Sequence, residues 1–204
     1  MDLLQTLSEQ WAAQSYWELL AVVLAIGYVW LAARQNIWCW PCALVSTGIY
    51  SWLFWAHTLP LQTLLNVYYL GMAVYGWWHW RAMADHEPGR VQTRSNTYHL
   101  LAVVVLLPLS LVIGWSLQSY FNNEHLYVDA LVTVFSLFTT YLVTQKVLEN
   151  WLYWLAINSL AAWLYWQTGL YLTALLFVGY LGFALYGYLK WRSSYLAQDA
   201  HAIG

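Results

Sequence analysis

Long apolar runs separated by short polar punctuation make up most of this chain. Seven runs stand out, at Tyr16–Ala33, Ile37–Ala56, Leu59–Trp80, Tyr98–Leu117, Tyr127–Thr144, Trp151–Gln167 and Gly169–Lys190. Each is long enough, as a helix, to cross a hydrocarbon core about 30 Å thick. The runs are continuous rather than alternating, which excludes the ten-residue strands of a membrane β-barrel. One linker-like stretch, Arg81–Thr97, holds Asp85, His86, Glu87, Arg90 and Arg94 and is predicted to be aqueous. The pattern predicts an all-α integral membrane protein, a single membrane domain spanning residues 1–204.

Composition agrees. Only 8% of residues are charged against 62% hydrophobic and 19% aromatic, whereas a soluble domain carries about a quarter charged residues. A net charge of -2 without a basic cluster speaks against nucleic acid as a partner. The start, Met1-Asp2-Leu3-Leu4, has no basic region of the signal-peptide kind, so the first span is expected to stay in the bilayer. With seven spans, all seven cations (Arg34, Arg81, Arg90, Arg94, Lys146, Lys190 and Arg192) fall on one side. The positive-inside rule then puts the C-terminus in the cytoplasm and the N-terminus outside the inner membrane.

At an offset of 111 residues the chain repeats itself. Trp52-Leu53-Phe54-Trp55 falls on Trp163-Leu164-Tyr165-Trp166, Tyr75-Gly76 on Tyr186-Gly187, and Trp80-Arg81 on Trp191-Arg192. Between Trp52 and Arg81, 16 of 30 aligned positions are identical without a gap. Residues 16–81 thus form repeat one and residues 127–192 repeat two, with the linker and a central helix at 82–118 between them. A single extra span lets both three-helix units keep one orientation, the 3+1+3 arrangement of parallel repeats, whose ligand sites lie near mid-membrane between the repeats.

Positions alike in both halves, such as Trp52 and Trp163, are expected to be scaffold; positions that differ in polarity are candidates for function. Asn66 corresponds to Phe177, Gln62 to Thr173, Asn158 to Thr47 and Trp154 to Ala43. Gln62, Asn66 and Tyr69 share one helical face at i, i+4 and i+7, as do Trp151, Trp154 and Asn158 at i, i+3 and i+7. Amides facing lipid would be unpaired, so both faces are expected to point inward, either as interhelical glue or as a ligand site. Asn158 lies about 12 Å into its span, near the midplane. Asn150, which precedes Trp151, and Tyr180, the repeat mate of Tyr69, complete the candidate substrate-binding set. Trp154 is suited to stack on a flat ring and, if that ring is cationic, to attract it. Trp11, Trp38, Trp80 and Trp191 read as interfacial belt residues.

Other chemistry is unsupported. Cys39-Trp40-Pro41-Cys42 opens a helix, with no βαβ unit to make it a redox motif. The six histidines lack metal-ligand spacing, no mid-membrane lysine is available for a Schiff base, and no phosphate-binding loop is present. No nucleophile–base pair falls within the spans, so no enzyme, cofactor or metal is expected.

Glu149-Asn150-Trp151-x-x-Trp154-x-x-x-Asn158, Gly169-Leu170-Tyr171 and the Tyr-Gly-x-x-x-Trp helix ends, with Asn36-x-Trp38-x-Trp40-Pro41 in the first repeat, resemble the PnuC family of vitamin-precursor transporters. The resemblance covers nearly the whole chain. It implies a SWEET-like fold, a homotrimer, and facilitated uptake of nicotinamide riboside, trapped inside by a cytoplasmic kinase. Thiamine-carrying members of PnuT type are close, and both substrates are flat, cationic heterocycles. A non-transporting receptor or structural subunit is the competing class.

The charge asymmetry makes the topology testable. A reporter active only outside the inner membrane, fused to the C-terminus, is expected to be silent; robust activity would contradict the span count.

Overall fold

The computed structural model describes residues 3–56, 60–86, 90–120 and 125–203, with the side chains of 60–62, 85–86 and 201–203 outside that description. Among the described residues there are eight helices: α1 (Leu3–Ala12), α2 (Tyr16–Ala33), α3 (Cys39–Ala56), α4 (Pro60–His86), α5 (Asn96–Leu117), α6 (Leu126–Thr144), α7 (Asn150–Gln167) and α8 (Tyr171–Ile203). All seven sequence-predicted runs are helical. Four of these helices, α2, α5, α6 and α8, are long and apolar enough to cross a membrane by length and composition alone. Helices α3 and α7 carry no charged residue, but Trp, Tyr, Asn and Ser lower their hydropathy.

Helix ends follow local chemistry. Ser15 caps α2 through a capping box: its hydroxyl accepts from the Glu18 amide at 3.2 Å, and its own amide donates to the Glu18 carboxylate at 2.6 Å. Ser95 caps α5 in the same way, accepting from the Tyr98 amide. Three helices end in Schellman turns, whose left-handed residue turns two amides back onto orphan carbonyls. Gly169 does so after α7 at φ 78°, with Leu170 N–H reaching the Tyr165 carbonyl at 2.9 Å. The other two use non-glycine residues in equivalent repeat positions, Gln35 after α2 at φ 54° and Lys146 after α6 at φ 50°.

Neighbouring helices close a ring in the order α2, α3, α4, α6, α7, α8 and back to α2. Its two seams, α2 with α8 and α4 with α6, pair the first helix of each repeat with the third helix of the other. Helix α5 lies outside, against α6, and α1 lies against α8. Gln10 of α1 donates to the Gly169 carbonyl at 2.8 Å and accepts from the Leu172 amide at 3.0 Å, satisfying one orphan group at each side of the α7–α8 turn.

A row of indoles knits the end of the ring that carries the cations. Trp40, Trp80, Trp191 and Trp151 follow one another with centroid separations of 5.3, 6.1 and 5.5 Å. Trp80 and Trp191 are 2% and 0% exposed, so they are core residues and not the belt their helix-end positions suggested. Trp80 Nε1 donates to the carbonyls of Val143 at 3.3 Å and Thr144 at 3.1 Å, and Trp191 Nε1 donates to the carbonyl of Ala32 at 3.1 Å. At the 111-residue offset, Ala32 is the mate of Val143. Each repeat therefore reaches into the last turn of the other's first helix with the same residue. Trp40 and Trp151 lie in close contact with Gly76 and Gly187, where no side chain stands in the way. By contrast Trp52 and Trp163, alike in both repeats, are half-exposed and not part of the buried core.

The linker is fastened to this same end. Gln92 exchanges backbone hydrogen bonds with Lys146 and Leu148 at 2.9 and 2.7 Å, and the Val91 amide donates to the Gln198 side chain at 3.2 Å. His99 in the first turn of α5 sits 3.7 Å from the Glu149 carboxylate and 3.1 Å from the Tyr153 hydroxyl.

The close glycine contacts set a direct test of the packing. A Cβ at Gly187 would fall 2.6 Å from Trp151 Cε2, while one at Gly182 meets nothing within 4 Å. Gly187→Ala is expected to cost about 1–3 kcal/mol through overpacking, and Gly182→Ala to stay within about 0.5 kcal/mol of the parent or gain. Thermal melting in one detergent compares them, and equal shifts would contradict the packing.

Candidate functional site

The candidate residues fall into two groups inside the ring. Asn150, Trp151 and Trp154 belong to the basic end. Asn150 and Trp151 are buried in the first turn of α7, and Trp154 packs against the indole row from one turn further in. Asn150 Nδ2 donates to the Val147 carbonyl at 2.6 Å, which fixes the α6–α7 turn; its Oδ1 has no protein partner. The indole N–H groups of Trp151 and of its repeat mate Trp40 are likewise buried without a protein partner. Unsatisfied buried polar atoms cost about 1–3 kcal/mol each, so several in one cluster mark a place where water or a ligand group supplies the missing bonds.

Asn66, Tyr69 and Tyr180 form the second group, deeper in the ring. Asn66 is buried on α4. Tyr69 lies beside Ser136 of α6 and near Tyr165 of α7 and Tyr28 of α2. Tyr165 packs on Phe177 at 5.2 Å, and Phe177 on Tyr180 at 5.6 Å. Tyr165, Phe177 and Tyr180 thus form an aromatic run from α7 to α8, with Tyr69, the mate of Tyr180, near its Tyr165 end. Asn158 is 5% exposed and, by helical spacing, continues the Trp151–Trp154 face towards this group. Gln62 lies in α4, with its side chain outside the described residues. Asn66 and Asn158, the amides expected to avoid lipid, are both buried, and so is Asn150.

Chain reading missed several residues of this interior. Ser136 and Tyr165 did carry a signal, since they differ in polarity from their repeat mates Ala25 and Phe54, whereas Tyr28 opposite Thr139 is polar in both halves. Trp40, Trp80 and Trp191 did carry one, because all three recur in the other repeat. Lys146, assigned to the aqueous edge, is 5% exposed, and its ammonium lies 4.6 Å over the Trp80 ring. Burial pushes the Lys146 ammonium below the usual lysine range, with the nearby Cys39 thiol acting the other way. Removing an ammonium from water costs several kcal/mol, and a desolvated cation–π contact returns about 2 kcal/mol of that. Among the described residues no group of three or more His, Cys, Asp or Glu side chains could hold a metal ion.

Comparison with known proteins matches this geometry to one family. A chain titled as the crystal structure of the vitamin B3 transporter PnuC superposes with a TM-score of 0.71 over 96% of this chain and 90% of its own length, at 21% identity. Nicotinamide riboside transporter PnuC of Escherichia coli (strain K12) is 23% identical over 210 residues, covering 90% of this chain and 87% of its own. The protein of that name from Shigella flexneri matches to the same extent. The model of one family, described as nicotinamide mononucleotide transporter, matches residues 15–193. The chain therefore belongs to the nicotinamide mononucleotide transporter family.

Proposed function

We propose that this chain takes up nicotinamide riboside across a bacterial inner membrane by facilitated diffusion. Helices α2 to α8 are its seven spans, set as two parallel three-helix repeats on either side of α5, with the N-terminus outside and the C-terminus in the cytoplasm. The reciprocal seams and the paired tryptophan hydrogen bonds support the repeat. The observation that carries the transport reading is that Asn66 and Asn158 are both buried inside the ring where their repeat mates are Phe177 and Thr47. Amides that broke the repeat without need would be a pure cost in a membrane interior. Together with Gln62 and Asn150 they match the hydroxyls and carboxamide of a riboside, while Trp151, Trp154, Tyr69 and Tyr180 match its flat cationic ring.

No ion site or nucleotide loop is evident in the sequence to drive accumulation, so a cytoplasmic kinase traps the substrate after downhill entry, and the protein works as a homotrimer. In proteoliposomes labelled nicotinamide riboside is expected to equilibrate, and to accumulate only with a kinase and its phosphate donor enclosed. Accumulation under a proton or sodium gradient alone would refute the mechanism. Trp154→Ala is expected to weaken binding by about 1–2 kcal/mol, roughly a five- to thirtyfold loss. Asn158→Leu should also weaken binding while elution and melting stay near the parent. Variants that lose their fold while the survivors bind normally would make these residues interhelical glue.

A further inference from the structure

Lys146 occupies a place where a lysine is expensive. Its backbone is left-handed at φ 50°, a conformation that costs any side chain except glycine's. Its mate Gln35 makes the same turn at φ 54°, with Gln35 N–H on the Ala32 carbonyl at 2.9 Å where Lys146 N–H meets the Val143 carbonyl at 3.0 Å. The turn itself therefore does not require a charge. The Lys146 side chain is buried, and among the described residues no carboxylate pairs with it. What it has is the face of Trp80, the second indole in the row that runs through Trp191 to Trp151, with Trp154 packed against the same core cluster.

Resting on the reading that the substrate is a flat cationic ring held at Trp151 and Trp154, we propose that Lys146 is a specificity-determining residue. Its ammonium is a tethered cation on the same aromatic surface, and it lowers the affinity of that surface for a positively charged ring. The two cations lie against one cluster of buried, edge-packed indoles and repel each other directly, so occupation of the Trp80 face by Lys146 weakens retention of the substrate at the basic end and favours its release there. An uncharged ring of the same shape does not feel this repulsion. The contact with Trp80 gives the ammonium a fixed seat, and the left-handed turn anchors its backbone against the linker through Gln92.

The test compares charge at constant shape. Lys146→Gln copies the residue that the other repeat places in the same turn, and Lys146→Arg keeps the charge. Calorimetry on the purified full chain measures binding of nicotinamide riboside and of its uncharged dihydro form. Lys146→Gln is expected to tighten binding of the cationic form about tenfold, the repulsion of two unit charges roughly 12 Å apart at an effective dielectric of about 20. The dihydro form should change less than twofold, and Lys146→Arg should behave as the parent. Equal changes for both ligands, or no change for the cationic one, would overturn the proposal while leaving the substrate reading intact. A parent protein that binds neither form overturns the substrate reading and this inference with it. A lower melting temperature in Lys146→Gln without the charge-selective gain would make Lys146 structural only.

Discussion

Two indole N–H groups, each buried at a helix end and each spent on the other repeat, hold this architecture together. Trp80 meets the carbonyls of Val143 and Thr144, and Trp191 meets that of Ala32. The Ala32 and Val143 carbonyls already accept from the Gln35 and Lys146 amides of the Schellman turns, so the indole N–H groups occupy the second acceptor position of those carbonyls and reach the Thr144 carbonyl as well. These bonds couple the halves, because the donors come from the third helix of the opposite repeat. The seams α2–α8 and α4–α6, the close glycine contacts of Trp40 and Trp151 and the indole row all converge on the same end. With the halves joined there, the ring interior further in is free to differ between repeats.

That freedom is where the polar groups are placed. Hydrocarbon surroundings penalise every unpaired amide, hydroxyl and ammonium, so each one inside the ring is either bonded or kept for a purpose. Ser46 is bonded to the Ala21 carbonyl at 2.8 Å, and Thr139 and Thr140 return their hydroxyls to their own helix. Asn150 Oδ1 and the indoles of Trp40 and Trp151 have no such partner, and Lys146 has only an aromatic face. The contrast separates scaffold from candidate site more sharply than residue type does. It also places the candidate residues along the ring, from the indole row at the basic end to the tyrosines further in.

Much of the fold was legible in the sequence because its signals are local. Apolar runs mark the helices within the chain, whereas the end bonds of Ser15 with Glu18, of Ser95 and of Gly169 came only with the structure, Gly169 having been placed at the start of the last run. The repeat was legible because matched Gly, Tyr, Trp and Arg cannot drift without breaking matched contacts. Helix α1 was not, since its docking rests on Gln10 reaching residues about 160 positions away, at Gly169 and Leu172. The roles of the tryptophans were misread for a related reason: a Trp at a helix end looks the same whether it faces an interface or a partner repeat. Trp80 and Trp191 proved to be core, and Trp52 and Trp163 proved to be half-exposed. Lys146 escaped notice because a lysine between two spans is ordinarily solvated, and only the fold of the α6–α7 turn buries it.

The central claim is that the two repeats are locked reciprocally at the basic end, and a double-mutant cycle on the two donors measures it directly. Phe removes the N–H together with part of the indole, so Trp80→Phe and Trp191→Phe should each cost about 1–3 kcal/mol of stability, hydrogen bond and cavity together. The indoles also touch, with centroids 6.1 Å apart, so the double variant should cost less than the sum, with a coupling of at least about 0.5 kcal/mol. Losses that simply add, or a single variant that costs nothing, would contradict the reciprocal lock.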